Sequence, residues 1–170
     1  SVGIFQFESQ GMTNFMKELK PDCLEDIIAG VSLYRPGPMD QIPRYIANKK
    51  DPEHAVYTHP ALKPILEVTY GCMVYQEQVM QIVRDLAGYS LGRADLVRRA
   101  MGKKKLDVMA KERENFIHGQ VDENGNIIIK GCVRNGIDEK SANKIFDDMI
   151  DFAKYAFNKS HAAAYGVIAY

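Results

Sequence analysis

Apolar residues recur along this chain in blocks of helical spacing, divided by prolines, glycines and short polar breaks. Ile4, Phe5 and Phe7 suggest an extended entry or a buried edge. Ser9 or Thr13 can open a short helix that runs to Lys20 and stops at Pro21. Asp22-Cys23-Leu24-Glu25 has the look of a capping box, and Leu24, Ile27, Ile28, Val31 and Leu33 then predict a buried helix. Arg35-Pro36-Gly37-Pro38 must end it, because a proline disfavours helical backbone in the residue before it. Pro43, Pro52, Pro60 and Pro64 cut the next stretch into short helices and turns.

The spacing of Tyr75, Val79, Ile82, Val83 and Leu86 predicts a helix over Met73 to Leu86, ended by Gly88. Ser90 can cap the next helix, which carries Leu91, Ala94, Val97 and Met101. A third runs from about Leu106 to Ile117. Asp122-Glu123-Asn124-Gly125-Asn126 followed by three isoleucines reads as a small hairpin, with Asn-Gly supplying the positive φ values of a tight turn. A last clear helix begins near Asp138, with Ala142, Ile145, Phe146, Met149, Phe152 and Ala153 as its apolar stripe; Phe157 to Ser160 interrupt the pattern, and Ser160 can cap a final helix. The expected architecture is mainly α, multi-helical, with one small β-hairpin insertion. Its expected parts are proline-interrupted helices over 1–70, a basic helical region over 71–118, the hairpin over 119–136 and C-terminal helices over 137–170.

Composition changes this picture little. The chain has 170 residues, 46% hydrophobic and 26% charged, enough for one domain with a real core. Its 22 basic and 22 acidic residues cancel, so global charge names no partner. Cys23, Cys72 and Cys132 are scattered, which predicts reduced, buried thiols and a cytoplasmic home; His54, His59, His118 and His161 are scattered too and suggest no metal site. No apolar run reaches the roughly 20 residues of a membrane span. The opening Ser1-Val2-Gly3 and the apolar close at Tyr170 lead to the expectation of a piece of a longer polypeptide.

Local charge is more informative. From Arg93 to Lys105 the chain carries six cations, Arg93, Arg98, Arg99, Lys103, Lys104 and Lys105, against the single acid Asp95, a local charge of +5. Arg98 and Arg99 lie about a quarter-turn apart on a helix and together can bracket an extended anion such as a triphosphate, since guanidinium forks grip phosphate oxygens in pairs. Leu96, Val97, Ala100 and Met101 around them place both nearer the apolar face, and Gly102 admits a ligand close to the backbone. The competing reading is a solvated basic helix end, and for Lys103 to Lys105 the two readings stand level. A second constellation, Tyr155 with Asn158, Lys159, Ser160 and His161, gathers an aromatic, an amide, an ammonium, a hydroxyl and an imidazole around a helix start, where anions are welcome; on residue types alone an ordinary cap with Tyr155 in the core is preferred. Gln76-Glu77-Gln78 could read base edges, but a solvated helix face is preferred. Asp147, Asp148 and Asp151 share one helix rather than converging from rigid elements, so a two-metal site is not expected. There is no phosphate-cradling Gly-Lys-Ser/Thr loop and no catalytic residue is assigned.

The runs Gly3 to Ser9, Tyr34 to Pro38, Tyr70-Gly71, Tyr75 to Met80, Arg98 to Lys105 and Phe157 to His161 resemble, in order and over nearly the whole chain, the alpha subunit of bacterial DNA polymerase III. The resemblance implies the fingers region of a replicative DNA polymerase. In that family the metal-binding aspartates and a Gly-Ser phosphate motif belong to the palm, upstream of Ser1, so Mg²⁺ would be bound outside this segment, which should be inactive alone. The resemblance also implies that Arg98 and Arg99, with Lys103, meet the phosphates of the incoming dNTP. Tyr155, Asn158, Lys159, Ser160 and His161 would lie near the nascent base pair, and Lys104, Lys105 and Arg93 are weaker DNA contacts. Implied partners are primer-template DNA, dNTP, the rest of the polymerase chain and replisome subunits, with no membrane. Two other classes share some features: a stand-alone helical nucleic-acid-binding module, and a protein-interaction domain whose binding would ignore salt.

Overall fold

A computed structural model describes residues 7–34 and 38–154, together with 164 and 167. Among these residues it is mainly α-helical with a single two-stranded antiparallel hairpin, as expected. The helices are α1 (Gln10–Leu19), α2 (Leu24–Leu33), α3 (Ile42–Lys50), α4 (Lys63–Leu66), α5 (Gln76–Ala87), α6 (Leu91–Gly102), α7 (Leu106–His118) and α8 (Glu139–Ala153). The strands β1 (Gln120–Val121) and β2 (Ile127–Ile129) fall between α7 and α8. Short 3₁₀ turns join the helices of the proline-rich stretch.

Start and stop signals act as their chemistry dictates. Ser9, Ser90 and Asp138 each accept a backbone N–H in the first turn of α1, α6 and α8. Gly88 adopts φ +74°, and the Gly88 and Tyr89 N–H groups turn back onto the carbonyls of Arg84 and Val83, which closes α5. α2 starts differently from expectation: Cys23 is its N-cap and makes no side-chain bond. Asp26, almost fully buried, supplies the carboxylate instead. It accepts the Asp22 N–H at 3.2 Å and the Tyr45 hydroxyl at 3.4 Å, and it faces the Lys49 ammonium at 3.3 Å. That buried anion ties α2 to α3, which a capping box would not do.

Two other boundaries move. α5 begins at Gln76 rather than Met73, because the Gln78 side chain captures the N–H groups of Val74 and Tyr75 and holds both residues extended. The hairpin loop is longer than a two-residue Asn-Gly turn: five residues, 122–126, join the strands, and only Gly125 has positive φ. The Asp122 carboxylate organises it by accepting the Asn124 and Asn126 N–H groups at 2.9 and 2.8 Å.

The hydrophobic residues gather into two cores. One joins Phe7 and α1, α2 and α3 to Cys72, Val74 and Tyr75. The other joins Leu62, Ile65 and Leu66 to α5, α6, α7, Ile129 and α8. The chain therefore enters the second core before residue 70 and returns to the first after it. Phe116 and Phe146, both fully buried, meet at 5.4 Å between α7 and α8. Cys72 and Cys132 are buried free thiols, which burial pushes up to about 11 and about 12, whereas Cys23, expected to be buried, is exposed at the N-terminal end of α2. No helix among the described residues is long and apolar enough to cross a membrane.

Candidate phosphate-binding site

The basic strip is carried by α6 and the turn after it. Ala94, Val97, Ala100 and Met101 bury one face of α6 against α5 and α7. Leu91 and Leu96, expected near that face, are instead 62% and 55% exposed, because the helical period turns them outward. Arg98 sits at the boundary with 35% of its side chain exposed, and Arg99 faces solvent at 63%.

One carboxylate holds both guanidinium groups. Arg98 donates from Nε and Nη2 to Asp95 Oδ1 at 2.9 and 2.8 Å, while Arg99 Nε lies 2.8 Å from Asp95 Oδ2. Three and four residues separate these partners, which is the spacing at which helical side chains meet. The hydrogen bond from Arg98, reinforced by its charge and that of Arg99, holds the Asp95 carboxyl below the usual carboxylate range. Asp95 was visible in the sequence only as the lone acid of a basic run. Its i, i+3 and i, i+4 relation to the arginines was the signal that it belongs with them.

The turn after α6 uses its backbone internally. The N–H groups of Lys103, Lys104 and Lys105 return to the carbonyls of Arg99, Met101 and Ala100 at 3.0, 2.9 and 2.8 Å. These donors are thus spent on the end of the helix, and Lys103 and Lys105 offer charge from exposed side chains. Lys104, in left-handed backbone at φ +55°, extends its ammonium to the Ala153 carbonyl at 3.0 Å, which fastens the turn to the end of α8. Arg93 is likewise structural: it pairs with Glu112 at 2.6 Å, and Glu112 also accepts the Tyr89 hydroxyl at 2.9 Å. This bridge links α6 to α7.

Gln78 of α5 is also structural. Gln76 and Gln78 are 8% and 5% exposed, so they are buried rather than on the expected solvated face, which only Glu77 between them occupies. Gln78 Oε1 accepts Val74 and Tyr75 N–H at 2.8 and 3.0 Å, and its Nε2 donates to Thr69 Oγ1 at 2.8 Å. Thr69 in turn donates to the Cys72 carbonyl at 2.6 Å. The α8 acids are each matched to a cation: Asp147 to Arg113 at 2.6 Å, Asp148 to Lys144 at 2.6 Å and Asp151 to Lys154 at 3.5 Å. Among the described residues, the grouping of acid and thiol ligand atoms close enough to share a cation is Asp22, Cys23 and Asp26, and the Lys49 ammonium already lies 3.4 and 3.3 Å from its carboxylates. Neither cluster fits a two-metal catalytic centre. A cleft of about 690 Å³ opens between Arg44, Tyr57 and Gly71 on one wall and Lys144, Asp148 and Asp151 on the other. Tyr155, Asn158, Lys159, Ser160 and His161 lie outside the described residues, as do Ile4, Phe5 and Arg35 to Gly37.

Residues 1–124 match the family model described as the bacterial DNA polymerase III alpha subunit finger domain. The DNA polymerase III subunit alpha of Chlamydia trachomatis is 54% identical over 170 residues, covering all of this chain and 13% of the relative. That of Rickettsia felis is 52% identical over 169 residues, 99% of the chain and 13% of the relative. The Borreliella burgdorferi protein of the same name is 48% identical over 170 residues, the whole chain and 14% of the relative. The chain thus spans about an eighth of the length of the relatives it matches.

Proposed function

Because this chain belongs to the finger-domain family of the bacterial DNA polymerase III alpha subunit, we propose that it is the part of a DNA-directed DNA polymerase that receives the incoming nucleotide. Arg98 and Arg99 bind the triphosphate, and Lys103 adds charge from the adjoining turn. The observation that carries this reading is the arginine pair gathered on one carboxylate, which brings two guanidinium groups to the same stretch of α6. Planar forks suit phosphate oxygens, and two of them span adjacent phosphoryl groups.

In the reaction this implies, a primer 3′-hydroxyl attacks the α-phosphorus and pyrophosphate departs. The residues of this chain bind the tail, orient it and neutralise charge that grows on the leaving oxygens. Magnesium, implied by the family resemblance, does not fit the acids described above, so its ligands would lie elsewhere in the longer polypeptide. The segment by itself would then be inactive. Lys105 remains a candidate contact for primer-template DNA, and Tyr155, Asn158, Lys159, Ser160 and His161 are proposed to face the nucleotide. A cytoplasmic place among replisome subunits accords with the same role.

The test is single-nucleotide incorporation by the intact polymerase carrying Arg98→Ala or Arg99→Ala. Removing one preorganised donor should lower turnover by about 10²-fold. Near wild-type kinetics for both variants would assign the pair to the solvated surface and overturn the proposal.

A further inference from the structure

Two cations on neighbouring helical positions repel each other, and in this structure Asp95 resolves that repulsion. Its Oδ1 takes the Nε and Nη2 of Arg98, and its Oδ2 takes the Nε of Arg99, all at 2.8 to 2.9 Å. A guanidinium has five N–H donors. Asp95 engages two of those on Arg98 and one on Arg99, in each case along the Nε side. Arg98 Nη1 and both terminal nitrogens of Arg99 lie outside these contacts with Asp95. The trio of two cations and one anion carries a net charge of +1 in place of +2.

That reduction has a consequence for any polyanion the pair receives. Electrostatic attraction scales with the charge of both partners, so one fixed negative charge beside the site weakens a multiply charged ligand more than a singly charged one. A site meant only to hold phosphate would gain by lacking the acid. A site that must release a polyphosphate in every cycle gains by having it, because release slows as affinity rises.

We propose that Asp95 is a positioning residue that aligns Arg98 and Arg99 and, through its charge, holds their affinity for polyphosphate low enough for the leaving pyrophosphate to depart. This rests on the assignment of the two arginines to the nucleotide's phosphates. The proximity of both guanidinium groups keeps the carboxylate ionised across the neutral range, so its charge acts under all working conditions.

The experiment uses the intact polymerase subunit that contains this chain, with inorganic tripolyphosphate and inorganic pyrophosphate as probes. Asp95→Asn keeps the shape and one accepting oxygen but removes the charge. It should tighten tripolyphosphate binding by about tenfold, the effect of about one unit charge a few ångströms from an anion in a largely aqueous setting. Pyrophosphate should become a correspondingly stronger inhibitor, and KM for dNTP should fall together with kcat as release becomes limiting. Asp95→Glu should restore wild-type values. A simple helix staple at these spacings would show a small loss of stability with tripolyphosphate affinity unchanged, and that result, or weaker binding by Asp95→Asn, overturns the proposal. The double variant Arg98→Ala/Arg99→Ala separates the two readings. If it binds tripolyphosphate as well as wild type, the phosphate assignment itself fails. If it loses binding while Asp95→Asn shows no tightening, only the role of Asp95 fails.

Discussion

Replacing Gln78 with methionine isolates what one buried amide contributes to this fold. Methionine nearly preserves the volume, so the packing around residue 78 changes little. The polar consequences are large, because Gln78 Oε1 accepts the N–H groups of both Val74 and Tyr75, and Nε2 donates to Thr69. All three bonds are buried, so water does not replace the lost partner without opening the structure. An unsatisfied buried donor costs about 1–3 kcal/mol, so two orphaned amides imply a loss of about 3 kcal/mol, allowing for relaxation. For a domain of this size each kcal/mol shifts Tm by about 2–4 °C, which predicts a fall of about 6–12 °C. Urea unfolding followed by circular dichroism measures the free energy, and amide hydrogen exchange at Val74 and Tyr75 reports the two donors directly. Gln78→Ala should be worse than methionine by the additional cavity. If Gln78→Met costs under about 0.5 kcal/mol, or if those two amides stay as protected as in wild type, the amide is not what holds Val74 and Tyr75 in place.

Phe146→Ala should destabilise the chain by about 3–5 kcal/mol, since it removes a fully buried ring that meets Phe116 and lies under the Arg113 guanidinium at 5.1 Å; a loss under about 1 kcal/mol in urea unfolding would contradict the packing described between α7 and α8. Acid should weaken the fold through Asp138, whose carboxyl is held below its usual range mainly by the Ser141 backbone N–H. A folded pKa below the unfolded one means that this contribution is present above the ordinary carboxylate range and disappears as pH falls through the folded value. Asp138→Asn, which can still cap α8, should therefore flatten the stability profile below about pH 4, and an unchanged acid limb would refute that account.

Helix type and order could be read from the chain because local rules govern them. Ser9, Ser90 and Asp138 cap helices in the structure as their identity suggests, and Gly88 stops one through its left-handed backbone. The misreadings came from polar side chains that satisfy backbone groups elsewhere in sequence or in another element. Gln78 looks like a surface residue beside Glu77, and only the chain's passage through Thr69 and Val74 reveals it as an interior one. Asp26 was an ordinary helix acid until α3 brought Lys49 and Tyr45 to it from 23 and 19 positions away. In the site, the run of six cations was legible, but its division of labour was not. Arg93 and Lys104 are assigned by Glu112 and Ala153, partners 19 and 49 residues distant, which no periodicity argument can supply.

The two cores exchange stretches of chain around residue 70, and this has a mechanical outcome. Leu62, Ile65 and Leu66 are anchored in one core while Cys72, Val74 and Tyr75, only a few residues on, are anchored in the other. The connection works like a stitch passed through two layers of cloth. Each core is thus filled by chain from both sides of residue 70, and neither can be repacked without moving residues that adjoin the other. Severing the peptide at that stitch would leave both pieces with an interior missing part of its filling.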